Sequence, residues 1–366
     1  KPSWLEPSGS NCLGLEPGSA RQRHMRVWSV PFWVLGWQSH PTSSRGGIYS
    51  PQSAGRRRSP FSLTRPLRGV PLGRGCQQRM GLWREGSALD AADKTLSRPF
   101  FLMKLPALGE ILLSVPGAFM GFPHAFLGGT PLTLAWLAGG GSGCEALGIC
   151  VACSWLLGLM VFYGGFAGHF DVRTSTKFII AGMFPLTCVV LALSGAPPAA
   201  RLAGFCSLTC STLAVTVCIP LKAVFDRLRP AVALQLIQSV QDRRSALLAP
   251  YMRAMCSSGQ ARDALPSSDV AVMAANAALL WRLGFHSLAT LLVTLSMFGR
   301  MYFWAHHLLD AAFGGLLGIL VVACMKKLHV GAQLPHAALS YAIFLVAILA
   351  MQRRMAYVSK QQQRSA

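Results

Sequence analysis

Charged side chains are scarce in this 366-residue sequence. Asp, Glu, Lys and Arg together make up 13% of it, and acidic residues number only 13. Hydrophobic residues make up 52%, and the mean hydropathy is +0.42. This composition lies outside the range of ordinary soluble domains and is typical of a membrane protein.

Two further absences exclude classes of function. The cysteines of "CVAC" (Cys150–Cys153) and "CSLTC" (Cys206–Cys210) lack the second Cys/His pair that a zinc site needs, so we interpret them as small side chains in apolar helices. A net charge of +21 would suit nucleic acid, but no zinc finger or aromatic RNA-binding signature accompanies the basic runs. We therefore expect no metal, no other cofactor and no nucleic-acid partner.

Much of the basic charge lies near the beginning of the chain. Residues 1–104 contain 16 Lys+Arg against 5 Asp+Glu, include "GRRRSP" at Gly55–Pro60 and show no sustained apolar period. This composition predicts a disordered, basic, low-complexity tail. An organelle targeting segment and an extension from an incorrect gene model are alternative interpretations that stay open.

Beyond residue 104 the chain consists largely of long uncharged runs. A helix needs about 20 apolar residues to span a bilayer. We predict helices over residues 124–140, 146–170, 178–200, 202–221, 270–284, 284–302, 306–325 and 334–352. Prolines and glycines between residues 111 and 144 predict an interfacial or re-entrant piece before the first helix. The predicted fold class is all-α, a polytopic membrane helix bundle.

These runs divide the chain after the tail into four parts. Residues 105–143 are predicted to form a membrane-associated or first transmembrane segment, and residues 144–330 the core. Residues 331–352 form one additional transmembrane helix, and residues 353–366 a basic C-terminal tail. The hydrophilic interval Lys222–Asp269 separates two groups of helices within the core.

Three polar clusters lie at helix ends that this topology places on one membrane face. They are "KAVFDRLRP" (Lys222–Pro230), "LPSSD" (Leu265–Asp269) and "RMYFWAHHLLD" (Arg300–Asp310). Taken singly, each has a simple structural explanation, because basic residues at helix ends commonly snorkel and Ser and Asp commonly begin helices. Taken together, ionisable residues at this depth predict a functional site.

The third cluster offers a nucleophile. His306 and Asp310 are four residues apart on a helix, so the carboxylate can accept the imidazole N–H and raise the nucleophilicity of His306. His307 is out of register with this pair, and we assign it no role. Asp226 and Arg227 in the first cluster are predicted to form an ordinary surface pair.

The remaining residues suit a phosphate group. Three cations, Lys222, Arg229 and Arg300, would neutralise a multiply charged oxyanion, and the two arginines offer planar forks that match phosphate. The helix that begins at Ser267 and Ser268 would add free backbone N–H groups to the same anion site. The combination predicts phosphoryl transfer by a histidine nucleophile.

The motifs Lys222-x6-Arg229-Pro230, Pro266-Ser267-Ser268-Asp269 and Arg300-x5-His306-x3-Asp310 resemble the three-part signature of the type 2 phosphatidic acid phosphatase superfamily. The resemblance covers about residues 140–330. It implies a six-helix membrane core, a phosphohistidine intermediate and a phosphorylated lipid substrate: phosphatidate, a sphingoid phosphate or an isoprenoid diphosphate.

The resemblance leaves location and assembly less defined. We expect an integral, multi-pass protein of the endoplasmic reticulum or another endomembrane rather than the plasma membrane. Arg173, Lys177 and the basic C-terminus would place the active side in the cytosol by the positive-inside rule. Relatives that handle lipid phosphates often face the lumen, so both orientations stay open, as does the oligomeric state.

Two positions depart from the family pattern. Gly299 stands where the family usually has Ser, which removes one hydroxyl donor. Asp269 stands where the family usually has the His that acts as general acid for the leaving group. An ionised carboxylate cannot donate a proton and repels phosphate.

Three explanations of Asp269 stay open. Burial beside a bound phosphate dianion would protonate it, so that it acts as the acid. Alternatively, the substrate is a lipid diphosphate, whose leaving group is a phosphomonoester that needs little protonation. In the third explanation the chain is a weak or inactive relative that binds or transports phosphorylated lipid.

Overall fold

The computed structural model describes residues 82–140, 145–166, 172–233, 263–328 and 333–365, and these residues form helices and no strands. The helices are α1 (Ala88–Leu102), α2 (Ala107–Gly117), α3 (Thr130–Ala138), α4 (Glu145–Phe166), α5 (Val172–Leu193), α6 (Pro198–Phe225), α7 (Pro230–Ala233), α8 (Ser268–Arg282), α9 (His286–Tyr302), α10 (Leu308–Leu328) and α11 (Leu334–Ser365). A 3₁₀ turn, Phe119–Gly121, and a π-helical turn, Ala125–Gly129, join α2 to α3. The predicted all-α class is confirmed.

Several helices match the thickness of a bilayer. Within the described parts of the chain, four helices are long and apolar enough to cross a membrane: Glu145–Gly164, Pro198–Phe225, Leu308–Lys327 and Leu334–Arg354. The segments Ala107–Gly121 and Ala125–Ala138 meet the same criterion as a pair bent by 71°. This bend agrees with the predicted break before residue 124. The long apolar helices fit an integral, multi-pass membrane protein.

The packing of α8 against α10 brings two of the polar clusters together. A Cβ atom added to Gly314 would lie 2.3 Å from the Ser267 carbonyl oxygen, and one added to Gly318 would lie 2.1 Å from that of Ala271. Small residues allow membrane helices to approach at backbone contact. The two glycines therefore set the first turn of α8 against the N-terminal half of α10.

A buried polar network holds α6 against α8. Asn276 accepts a hydrogen bond from Ser207 Oγ at 2.6 Å through Oδ1 and donates one to Ser211 Oγ at 2.8 Å through Nδ2. Each of these interhelical hydrogen bonds stabilises packing in a bilayer by about 0.6–2 kcal/mol. The C-terminal end of α6, which carries Lys222, is thereby held close to the beginning of α8.

Two segments differ from the predicted organisation. Part of the predicted disordered tail forms α1, which begins where Ser87 Oγ accepts the Asp90 N–H at 3.2 Å. The buried face of α1 carries Asp90, Asp93 and Ser97, so the side of this helix that packs against the protein is polar and not apolar. The predicted C-terminal tail likewise continues α11 as far as Ser365. The remainder of the N-terminal tail, residues 1–81, lies outside the described residues.

Candidate active site

His306 lies in the turn between α9 and α10 and is fully buried. Its Nδ1 is 2.7 Å from the Ala264 carbonyl oxygen. A carbonyl oxygen can only accept, so Nδ1 carries the proton and Nε2 keeps a free lone pair. Within the part of the chain that the structure describes, Nε2 has no hydrogen-bond partner.

The surroundings of His306 keep its imidazole neutral. Burial, followed by the positive charges of Arg229, Lys222 and Arg300, holds the pKa of His306 well below its ordinary value. The hydrogen bond to Ala264 opposes this shift but does not reverse it. Around neutral pH, Nε2 is therefore available as a nucleophile without prior removal of a proton.

Asp310 differs from its predicted contact with His306. The prediction that its carboxylate accepts the imidazole N–H is wrong, because Oδ2 is 3.9 Å from His306 Nδ1. Instead, Oδ2 accepts the backbone N–H of His307 at 2.8 Å, and Oδ1 accepts a hydrogen bond from Arg227 at 2.6 Å. A carboxylate in the first turn of a helix readily folds back to cap the residue before the helix. At 3.9 Å, Asp310 still favours a positive charge on the imidazole.

Arg227 is a functional candidate that sequence reasoning missed. The predicted surface pair with Asp226 is wrong, since Arg227 is 1% exposed. Its guanidinium lies 2.7 Å from an oxygen of Asp93 and 3.3 Å from one of Asp90, in addition to its contact with Asp310. No feature of "DRLRP" distinguishes this arginine from a surface residue, because its carboxylate partners are distant in sequence.

The three predicted phosphate-binding cations all face the region of His306. Lys222 Nζ donates to Ser268 Oγ at 3.1 Å, and Arg229 Nη1 donates to the Ala305 carbonyl at 3.4 Å. Arg300 Nη2 donates to the Ala118 carbonyl at 3.3 Å. The positive charges of all three cations thus act on His306.

Asp269 is paired with one of these cations. Its Oδ2 is 2.5 Å from Arg300 Nη2, and its side chain is 20% exposed. The turn after α2 packs against Asp269, since a Cβ atom added to Gly121 would lie 2.4 Å from Asp269 Cβ. The segment before residue 124 therefore contributes to the site, which the sequence did not indicate.

The glycine that replaces the family serine has a steric explanation. A Cβ atom on Gly299 would lie 2.4 Å from the Cα atom of Gly117 in α2. Real Cβ atoms do not approach another atom so closely, so a serine at this position would force α2 away from α9. The close approach of α2 occupies the space that the missing side chain would need.

The predicted anion site at the beginning of α8 has a defined local structure. Ser267 is buried, its Oγ accepts the Val270 N–H at 3.5 Å, and its own N–H donates to the Asp310 carbonyl at 3.0 Å. Ser267 therefore caps α8, whereas Ser268 contacts Lys222. Among the described residues, no group of three or more His, Cys, Asp or Glu side chains could hold a metal ion.

The turn that carries His306 is anchored on both sides. Tyr302 donates from its hydroxyl to Glu110 Oε1 at 2.6 Å, and Trp304 Nε1 donates to the Phe101 carbonyl at 3.1 Å. Trp304 adopts a left-handed backbone conformation with φ of 55°. Such a conformation costs a non-glycine residue about 1–3 kcal/mol and persists only where the surroundings hold it.

Comparison with known proteins agrees with the motifs. Residues 203–333 match the family model described as the PAP2 superfamily. This segment contains all three polar clusters, and it begins later than residue 140, where the resemblance to the family was predicted to start. No curated protein and no solved structure matches the chain. Through residues 203–333 the chain is thus similar to the PAP2 superfamily.

Proposed function

We propose that this chain is an integral membrane hydrolase that removes phosphate from a phosphorylated lipid through a phosphohistidine at His306. The observation that carries this proposal is the state of the imidazole. Its Nδ1–H is held by the Ala264 carbonyl at 2.7 Å, which leaves the buried Nε2 free to attack. Lys222, Arg229 and Arg300 would neutralise the phosphate oxygens at the same place.

The proposed reaction has two steps. In the first, Nε2 of His306 forms a bond to phosphorus while the bond to the leaving oxygen breaks. The positive charge that develops on the ring is stabilised by the Ala264 carbonyl and by Asp310, 3.9 Å away. In the second, water attacks phosphorus, the P–N bond breaks, and phosphate leaves with the protons of the water.

The pairing of Asp269 bears on the leaving group. Asp269 Oδ2 contacts Arg300 Nη2 at 2.5 Å, so this side chain is engaged with a phosphate-binding cation and not free to face a leaving group. A diphosphate expels a phosphomonoester, which leaves without protonation, whereas a monophosphate expels an alkoxide. We therefore propose a lipid diphosphate as the preferred substrate.

A second candidate function has its own support. Arg300 donates to Ala118 and pairs with Asp269, so two acceptors compete with any incoming phosphate. This arrangement favours a catalytically weak relative that binds or transports phosphorylated lipid. The two functions differ in one measurable property, which is phosphate release that depends on His306.

Purified full-length chain in detergent micelles provides the test. The panel consists of phosphatidate, a sphingoid phosphate, and one isoprenoid alcohol as both monophosphate and diphosphate. We expect the diphosphate to be cleaved roughly 10²-fold faster than its matched monophosphate, the size of a typical general-acid contribution. His306→Gln should abolish release. Equal rates for the matched pair would contradict the diphosphate preference, and no release from any lipid would support the binding function.

A further inference from the structure

The beginning of α10 is capped by a helix that precedes it by about 200 residues. The first four N–H groups of an α-helix lack partners within the helix. In α10, the Leu308 N–H donates to Ser97 Oγ at 2.9 Å, and the Leu309 N–H donates to Asp93 Oδ1 at 2.9 Å. Both acceptors belong to α1 and are buried. Helix α1 thus supplies caps to the helix that follows His306.

A buried guanidinium joins the same two helices. Arg227 contacts Asp93 and Asp90 of α1 on one side and Asp310 of α10 on the other, at 2.7, 3.3 and 2.6 Å. The ring of Trp83 lies 4.0 Å from the guanidinium carbon and covers it. A buried charge network of this kind is costly to break, because the partners that remain are left unpaired.

The residues on either side of His306 also rest on α1. The rings of His307 and Phe101 pack edge to face with centroids 5.7 Å apart, and Trp304 Nε1 donates to the Phe101 carbonyl. His307 and Asp310 are buried, and the half-buried Leu308 and Leu309 both donate their backbone N–H groups to α1. The orientation of His306 is therefore set from outside the three motifs.

We propose that α1 is a positioning element of the active site. Ser97 and Asp93 fix the first turn of α10 and thereby the orientation of the His306 imidazole. This inference rests on the proposed phosphatase function. Neither side chain touches the imidazole, so each acts through the backbone of Leu308 and Leu309. Loss of the caps is expected to lower kcat more than it raises KM, because the phosphate-binding cations lie on other helix ends.

The test compares variants of α1 in the full-length chain. Ser97→Ala removes one acceptor, Ser97→Thr restores a hydroxyl, and Thr95→Ala on the exposed face of the same helix is the matched control. We expect Ser97→Ala to lower kcat about tenfold with KM changed less than about twofold. Ser97→Thr should recover most of this loss. Equal kcat in Ser97→Ala and Thr95→Ala would overturn the proposal.

A second pair of variants and a readout other than turnover complete the test. Asp93→Asn keeps an oxygen for the Leu309 N–H, whereas Asp93→Ala removes it, so the alanine variant should be the more impaired. Hydrogen exchange of the peptide covering residues 306–312 should be about fivefold faster in Ser97→Ala than in Thr95→Ala. If the wild-type chain releases no phosphate, the proposed function fails, while faster exchange still supports α1 as the element that fixes α10. Unchanged exchange would overturn it.

Discussion

Asp269 lies in the first turn of α8 and Arg300 in the last turn of α9, and their side chains form an ion pair of 2.5 Å. Asp269 stands where the family that the motifs resemble usually has its general-acid histidine, and Arg300 is a predicted phosphate-binding residue. An incoming phosphate has to share the guanidinium with this carboxylate, or displace it. In the proposed reaction, phosphate affinity and proton supply would both depend on this single contact.

Asp269→Asn tests that coupling. The amide keeps the shape of the side chain but removes its negative charge, so we expect a lower KM for lipid diphosphate with kcat largely retained. Steady-state measurement of kcat and KM checks this, with Asp226→Asn at the end of α6 as the control for neutralising a nearby carboxylate. Complete loss of monophosphate turnover in Asp269→Asn alone would instead identify Asp269 as the acid.

Gly299→Ser tests the contact between α9 and α2. The added Cβ would lie 2.4 Å from Gly117 Cα, so we expect a loss of about 1–3 kcal/mol in the free energy of unfolding, typical of overpacking. Thermal melting in detergent measures it. Gly182→Ser on α5 is the matched control, because no atom lies within 4 Å of its Cβ position. Equal melting temperatures in the two variants would show that α2 does not approach α9 in this way.

Replacement of glycines in α10 tests the packing that assembles the site. Gly318→Ala would place a methyl group 2.1 Å from the Ala271 carbonyl oxygen and should separate α8 from α10, lowering both stability and phosphate release. Gly315→Ala, whose Cβ meets only Val270 at 3.7 Å, should be neutral or slightly stabilising. A chain that tolerates both substitutions equally would contradict the close approach of these helices.

The buried His307 predicts a loss of stability in acid. Burial, followed by the charge of Arg227, lowers the pKa of His307 from 6.5 to about 3. Below pH 6.5 the unfolded chain takes up a proton that the folded chain does not, so stability is lost as the pH falls from 6.5 towards 3. One such group contributes a slope of up to about 1.4 kcal/mol per pH unit.

His307→Leu should therefore make the fall in unfolding free energy between pH 6.5 and pH 4 shallower. Denaturant unfolding in detergent at several pH values measures the slope. The exposed His286, replaced by Gln, controls for the loss of a histidine elsewhere in the chain. A slope in His307→Leu that equals the wild-type slope would show that His307 is protonated in the folded state.

The separate polar clusters were predictable because they interrupt apolar runs. A charge inside a membrane helix is costly enough to stand out in a single sequence, and motif spacing then indicates which residues share a helix face. The same reasoning failed for α1, because its inward face is acidic and its outward face carries Leu89 and Leu96. Where the polar side of a helix is the buried one, the apolar pattern marks the exposed face instead of the packed face.

Exact partners within the site were not predictable. The four-residue spacing of His306 and Asp310 suggested a hydrogen bond, but Ala264 supplies the acceptor for the imidazole. Every residue has a carbonyl oxygen, so a backbone acceptor leaves no mark in the sequence. Arg227 was likewise misassigned, since its three carboxylates lie on α1 and α10.

The amino-acid sequence alone determined the all-α membrane class, the three motifs and the kinds of side chain that form the site. Local composition and spacing suffice for these, because the bilayer penalises each polar residue where it stands. Only the tertiary structure decided which groups contact one another. The Ala264 carbonyl accepts a hydrogen bond from His306, the Asp269 carboxylate pairs with Arg300, and α1 caps the beginning of α10. These depend on how helices distant in the chain pack, where backbone contacts at glycines bring the helix ends together.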